Sequence, residues 1–263
     1  MNCLNCNTET TGAFCHNCEQ PASTSRFTIK SLFTKVLTYL FILSDKGVLY
    51  TIKQLYTSPG HSTREYIQGH RVKMTDYFTL IILVITAGLI LDGFSSDITL
   101  GDLGVTYSSN GNLKTVELRV LFEEISKGFE NIAGNYPRLT ILMQIPFMGL
   151  SSYLWFRKKS NQNFAENIVI NFYSAAGVYL FTLVFIVMCV FVKDLKFLGI
   201  VVNSIIYLSF LYSVWFYYQY YSAFGYRKST LLFRSIFAYV IGFLLYIFTF
   251  FIIIGLKVYF SKS

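Results

Sequence analysis

The residues that could do chemistry come first in the chain. Four cysteines form two pairs, Cys3 with Cys6 and Cys15 with Cys18, each spaced C-x-x-C with eight residues between the pairs. A C-x-x-C turn aims two sulfurs at one centre, and two such turns supply four thiolates for a tetrahedral zinc ion with Zn–S near ~2.3 Å. Gly12 relaxes the connecting loop, and Phe14 is placed to cover the site. So short a segment cannot bury a core, and a bound metal would supply its folding energy. The reading is one structural Zn2+ per chain held by Cys3, Cys6, Cys15 and Cys18, with no open position for a reacting water. A redox dithiol pair is the competing reading, against which stands the lack of a βαβ pattern around either pair. His16 reads as a loop residue, because four sulfurs already fill the shell.

The rest of the chain offers little reactive chemistry. It has no HExxH, GxSxG, P-loop or GxGxxG motif. A second cluster falls just before the first long apolar run: Arg64, Glu65, Tyr66, Gly69, His70 and Arg71, with Glu166 expected on a neighbouring loop. Two readings stay open for it. One is a site for anionic headgroups or phosphate, with Arg71 as the forked donor. The other, which we favour, is a structural Arg–Glu network that fixes an interfacial helix. Glu65 or Glu166 would be the acid or base of a lipid-modifying enzyme, but no catalytic constellation surrounds either, and the chain does not read as an enzyme.

These residues are embedded in a membrane-like composition. Of 263 residues, 54% are hydrophobic and 14% charged, with 26 Phe and 20 Tyr. A soluble domain carries roughly 25% charged residues. The net charge of +8 suits cytoplasmic loops and a lipid bilayer with anionic headgroups, and no nucleic-acid motif accompanies it. The first 20 residues lack the apolar core of a signal peptide, so the N-terminus is expected in the cytosol, where thiols stay reduced.

The expected organisation is all-α: a ribbon at 1–20, a linker with interfacial amphipathic helices at 21–76, and a polytopic transmembrane helix bundle at 77–263. Residues 19–27 read as a polar linker. Residues 28–57 read as two amphipathic helices broken near Ser44–Gly47. Pro59-Gly60 reads as a turn, followed by a short polar helix from Ser62 that Gly69 can end. Five apolar runs follow, about the length a span needs: Tyr77–Phe94, Leu139–Phe156, Ile168–Val192, Phe197–Ser222 and Leu231–Tyr259. Pro146 leaves the second open to a kinked or re-entrant form. Between the first two lies an acidic segment, 95–136, expected to be extracytoplasmic with one amphipathic helix. No internal repeat stands out. Lys and Arg before the first run, at 157–159 and at 227–234 place those segments and the N-terminus on the cytoplasmic side. Polar residues within the runs, Gln144, Asn171, Ser174, Asn203 and Gln219, read as interhelical hydrogen-bonding groups.

The order of CLNC and FCHNC, DKGVLYTIKQLYTSPG, REYIQGHR and a polytopic region resembles an uncharacterised bacterial family of zinc-ribbon membrane proteins, a domain of unknown function. Tyr66, Gly69, His70 and Arg71 fill its Tyr-x-x-Gly-[Lys/His]-Arg motif. In NFAENIVINF, Glu166 matches a later element, but Asn167 stands where that family has His. The resemblance implies an architecture and no activity. The chain therefore reads as a membrane-anchored interaction or scaffold protein of the inner membrane, with its ribbon as a cytosolic docking module for a protein partner. The alternative is a small-solute or lipid transporter or channel, against which stands the lack of a carboxylate near the middle of any run.

Overall fold

The computed structural model describes residues 2–22, 24, 26–29, 31, 47–92, 137–192 and 194–262. Every named element among them is helical: α1 Val48–Thr57, α2 Pro59–Gln68, α3 Tyr77–Asp92, α4 Pro137–Ser160, α5 Phe164–Phe191, α6 Leu195–Tyr221, a 3-10 turn Ser222–Phe224, and α7 Lys228–Lys262. Most of the first expected amphipathic helix and the 95–136 segment lie outside the described residues.

Three stretches are long and apolar enough to cross a membrane: Phe164–Met188, Lys196–Phe224 and Lys228–Ile253. The two earlier runs stand apart from these. Helix α3 has 16 residues, about 24 Å at 1.5 Å per residue against a hydrocarbon core of ~30 Å. Helix α4 is 24 residues long and continues through Pro146, but it is diluted by Gln144, Ser151, Ser152 and its terminal Arg157-Lys158-Lys159.

Helix α5 is the hub. It packs against α3, α4 and α6, while α7 packs on α4 and α6. Its start is fixed by a capping box: Asn163 accepts from the Glu166 amide at 2.9 Å, and the Glu166 carboxylate accepts from the Asn163 amide at 3.0 Å. The main core runs through α3, α5 and α6 and includes Leu80, Ile81, Val169, Ile170, Tyr173, Phe216 and Tyr217, all at or near zero exposure.

The short helices lie across the end of the bundle where α5 begins and α6 ends. Helix α1 buries Thr51 and Leu55 and packs on α2 and α5. The Pro59-Gly60 pair is not a turn. Pro59 is the first residue of α2, where a missing N–H costs nothing. Gly60 permits close approach: a Cβ there would come within 2.2 Å of the Tyr220 amide nitrogen. The chain instead turns at Ser58.

Candidate metal centre and its collar

The two cysteine pairs form matching knuckles. In the first, the Cys3 amide donates to Thr8 O at 2.9 Å and the Asn7 amide to Cys3 O at 2.9 Å; in the second, the Cys15 amide donates to Gln20 O at 2.9 Å and the Glu19 amide to Cys15 O at 2.8 Å. Asn7 and Glu19 hold the same left-handed conformation, with φ of 60° and 59°. Bridges Asn2–Glu9 and Phe14–Pro21 flank them in the same way. Every pair of equivalent positions is 12 residues apart. This is a local duplication, although the sequence shows no obvious repeat: only C-x-N-C is shared by eye, and the rest of the likeness is in the backbone.

The four sulfurs lie within 4.8 Å of one another, with Cys3–Cys18 and Cys6–Cys15 both at 3.5 Å. A tetrahedral centre with ~2.3 Å metal–sulfur bonds has edges of about 3.8 Å. The set can therefore hold a metal ion. Local groups favour thiolates. Amides of Cys6 and Asn5 lower the Cys3 thiol. The hydroxyl and amide of Thr8 bring Cys6 down to about 6. Cys18 is pushed up to about 11: the Gln20 amide favours its thiolate, but burial and the Cys6 and Cys3 sulfurs outweigh it. A cation at the centre would remove that conflict by letting all four sulfurs ionise. Phe14 does not cover the site; it is 64% exposed.

The ribbon is seated on a collar formed by α2 and the residues that join it to α3. Helix α2 ends in a Schellman turn, with the His70 amide on Glu65 O at 3.0 Å, the Gly69 amide on Tyr66 O at 3.2 Å and Gly69 at φ +115°. Leu4, between the first two cysteines, lies on Gly69, where a Cβ would come within 2.8 Å of Leu4 Cδ1. The Gln20 side chain accepts from the Arg71 amide at 3.1 Å.

The 64–71 cluster divides among separate tasks. Arg64 donates to Tyr220 O at 2.8 Å and lies 2.6 Å from His61 Nδ1, so it covers free carbonyls at the end of α6. The Tyr66 hydroxyl donates to Asp76 Oδ2 at 2.8 Å; burial raises this phenol well above its usual range. Arg71 donates to Tyr66 O at 3.2 Å, and its guanidinium lies 4.0 Å from the centre of the Phe27 ring. Glu65 and His70 are exposed.

Glu166 sits in the first turn of α5, not in a loop, and its partner is Arg26. Both carboxylate oxygens accept from that guanidinium, at 2.8 and 2.9 Å. The linker thus ends in an anchor. Phe27 follows, 2% exposed, stacked on Tyr66 at 5.9 Å and edge-on to Tyr77 at 5.8 Å.

Sequence reasoning missed Arg26, Phe27, Thr51 and Asp76. Asp76 had a signal: an Asp just before an apolar run is a cap candidate, and its carboxylate accepts from the Phe78 amide at 3.1 Å. Thr51 joins α1 to the collar. Its hydroxyl accepts from the Thr75 amide and donates to Gly47 O, both at 2.8 Å. Gly47, at φ +92°, lies so close to Lys73 O that a Cβ would come within 2.3 Å.

Gly47, Thr51, Gly60, Gly69 and Asp76 all fall in one compared segment. Residues 45–87 match a family model described as Protein of unknown function (DUF3667). The match takes in α1, α2, the collar and the first part of α3, and it leaves the cysteines outside. No curated protein and no solved structure matched the chain.

Proposed function

We propose that this chain is an integral inner-membrane protein whose N-terminal ribbon holds one structural zinc ion on the cytosolic side and serves as a docking module for a protein partner. The observation that carries the reading is the closed set of four sulfurs seated on the collar through Leu4 and Gln20. Four protein ligands leave no coordination position for substrate, so the metal shapes a surface rather than performing a reaction. We assign no catalytic role, and no nucleic-acid partner.

Five spans remain the architecture we favour. Helices α3 and α4 pack on α5, itself long enough to cross, and α3 carries no charged residue before its last, Asp92. Basic residues at Arg157–Lys159 and Arg227–Lys228 lie at the end of the bundle that carries the ribbon, which supports a cytosolic ribbon. The collar arginines support the structural reading of the 64–71 cluster, since Arg64 and Arg71 face carbonyls and rings.

A second reading, a small-solute or lipid transporter or channel, has one observation in its favour. A cavity of about 60 Å³ lies among α4, α5, α6 and α7, lined in part by Gln144, Asn171, Ser174, Ser213 and Tyr217. It has room for a few water molecules and is too small for a lipid.

Metal analysis of gently purified protein should give one zinc per chain. Co-purification in mild detergent, compared with a Cys3/Cys6/Cys15/Cys18→Ser variant that inserts and stays monodisperse, should show a partner lost only from the variant. Absence of metal would remove the ribbon. Equal partners together with solute flux in proteoliposomes would favour the transporter.

A further inference from the structure

The ribbon is seated beside the collar so that a cleft of about 320 Å³ remains between them, lined in part by Cys6, Cys18, Ser62, Glu65, His70 and Lys73. Of the four cysteines, Cys6 and Cys18 line this cleft and are half-buried, while Cys3 and Cys15 are buried. Four thiolates around a divalent ion carry a net charge of −2, and Glu9 and Glu19 bring the knuckles to −4, with no Lys or Arg before Arg26. Glu65 adds a further negative charge at the cleft wall. Lys73 is the one Lys or Arg among the lining residues. The nearby Arg71 has its guanidinium over Phe27 and Tyr66, at 4.0 and 5.6 Å. The same end of the bundle carries the basic residues Arg157–Lys159, in the last turn of α4, and Arg227–Lys228, at the start of α7. The metal-loaded ribbon is therefore an acidic island on a protein of net charge +8.

We infer that the partner of the ribbon is a Lys/Arg-rich protein segment, and that one of its cationic side chains enters the cleft between Cys6, Cys18 and Glu65. The inference rests on the docking-module reading above and names the chemistry of its partner. Anionic headgroups are drawn to these basic helix ends and repelled by the ribbon, which leaves the ribbon accessible from the aqueous side. An ethanolamine headgroup brings its own phosphate and is neutral overall. The negative charge extends from the cleft across both knuckles, and a run of cations matches that spread where a single ammonium does not. Lys73, on the cleft wall, is a positive charge that such a partner must approach.

The test uses the full chain in phosphatidylcholine nanodiscs, with metal content measured in the same sample, titrated with a fluorescent oligolysine peptide. Saturable, salt-sensitive binding is expected. Glu65→Gln and Glu9→Gln should each weaken it, up to about fivefold for a partly exposed charge pair. Lys73→Ala should tighten it, an outcome that loss of folding would not give. Phosphoethanolamine should not compete. With one metal ion per chain present, binding that is absent, or indifferent to all three substitutions, or displaced by phosphoethanolamine, overturns the inference and leaves the ribbon intact. A sample without metal overturns the ribbon itself.

Discussion

Arg26 holds Glu166 through two charge-assisted hydrogen bonds, Nε to Oε1 at 2.8 Å and Nη2 to Oε2 at 2.9 Å, across 140 residues of sequence. The same guanidinium donates to Asn161 O at 3.0 Å. This pair ties the segment leaving the ribbon to the start of α5. The two partners are unequal: the arginine side chain is 63% exposed and the glutamate 3%. Removing Arg26 leaves a nearly buried carboxylate held by the Asn163 amide. Arg26→Ala should lower stability by about 1 kcal/mol, discounted for the exposed side. Glu166→Ala removes the pair and the capping box together and should cost more, about 2 kcal/mol. Thermal unfolding in detergent would check the order. Equal effects would mean that the capping box contributes nothing.

Phe27 gives a sharper result because its loss is a packing loss. It is 2% exposed between Tyr66, Tyr77 and the Arg71 guanidinium. Phe27→Ala should cost about 3 kcal/mol, while Phe27→Leu should retain much of that. A protease-accessibility comparison would also show the ribbon released from the collar in the alanine variant and retained in the leucine variant.

Metal retention should depend on pH with a defined sign. Thr8 lowers the Cys6 thiol from its usual value of 9.0 to about 6. A depressed thiol contributes to the ordered ribbon above its unfolded value, and that contribution is lost as pH falls toward the folded one. Protons also compete directly with the metal for sulfur. Zinc should stay bound at neutral pH and be released progressively as the solution is acidified toward pH 6 and below. Thr8→Val, which removes the hydroxyl near Cys6 Sγ at 3.2 Å, should move release to higher pH. A chelator-linked zinc dye would follow it, and coincident release curves for the two proteins would refute the role given to Thr8.

The parts legible in the sequence are those whose signal is local. C-x-x-C spacing brings sulfurs together with only a few residues between them, and Gly69 ends α2 because the left-handed turn there suits a residue without Cβ. Arg26 was invisible because its partner lies 140 residues away, and a polar linker ending in Arg-Phe has no periodicity to reveal an anchor. The knuckle duplication was hidden for a different reason. It is a backbone pattern in which Asn7 and Glu19 share one conformation without sharing chemistry. The span count was blurred by α4, where apolar residues alternate with Gln144, Pro146 and serines that the bundle places against polar neighbours, as with Ser151 on Ala238 O at 2.7 Å.

The collar glycines separate two kinds of crowding. At Gly60 a Cβ would meet the Tyr220 amide nitrogen at 2.2 Å and the Gln219 carbonyl carbon at 2.7 Å. Backbone cannot rotate away, so Gly60→Ala must push α2 off α6. At Gly69 the obstacle is the tip of Leu4, which can move, but φ is +115° and an L-residue there costs about 1–2 kcal/mol. Gly60→Ala should therefore abolish the monodisperse fold, whereas Gly69→Ala should give a folded protein destabilised by about 1–2 kcal/mol. Adding Leu4→Ala to Gly69→Ala should relieve little, because the strain lies in the backbone. A full rescue by Leu4→Ala would show that the side-chain contact was the cause.

Asn167 tests whether the polar groups inside the bundle are structural. Its Oδ1 accepts from Ser152 Oγ at 3.0 Å and from the Tyr221 hydroxyl at 2.7 Å, and its Nδ2 donates to Asn163 O at 2.9 Å. The next turn repeats the arrangement, with the Tyr217 hydroxyl on Asn171 Oδ1 at 2.5 Å and Asn171 Nδ2 on Ser152 Oγ at 3.1 Å. Single hydrogen bonds of this kind within a membrane are worth ~0.6 kcal/mol on average and up to ~1.7. Tyr221→Phe keeps the stacking on Phe156, where ring centres are 3.7 Å apart, and should cost about 0.6 kcal/mol. Asn167→Ala removes three hydrogen bonds at once, takes from the Tyr221 hydroxyl this buried acceptor while Ser152 keeps Gly149 O, and should cost at least twice as much. In the double variant the two losses should fall short of their sum, because Tyr221 no longer has a hydroxyl to strand. Full additivity would mean that the two side chains act independently. A larger loss of solute flux than of stability would instead place this network on a transport path.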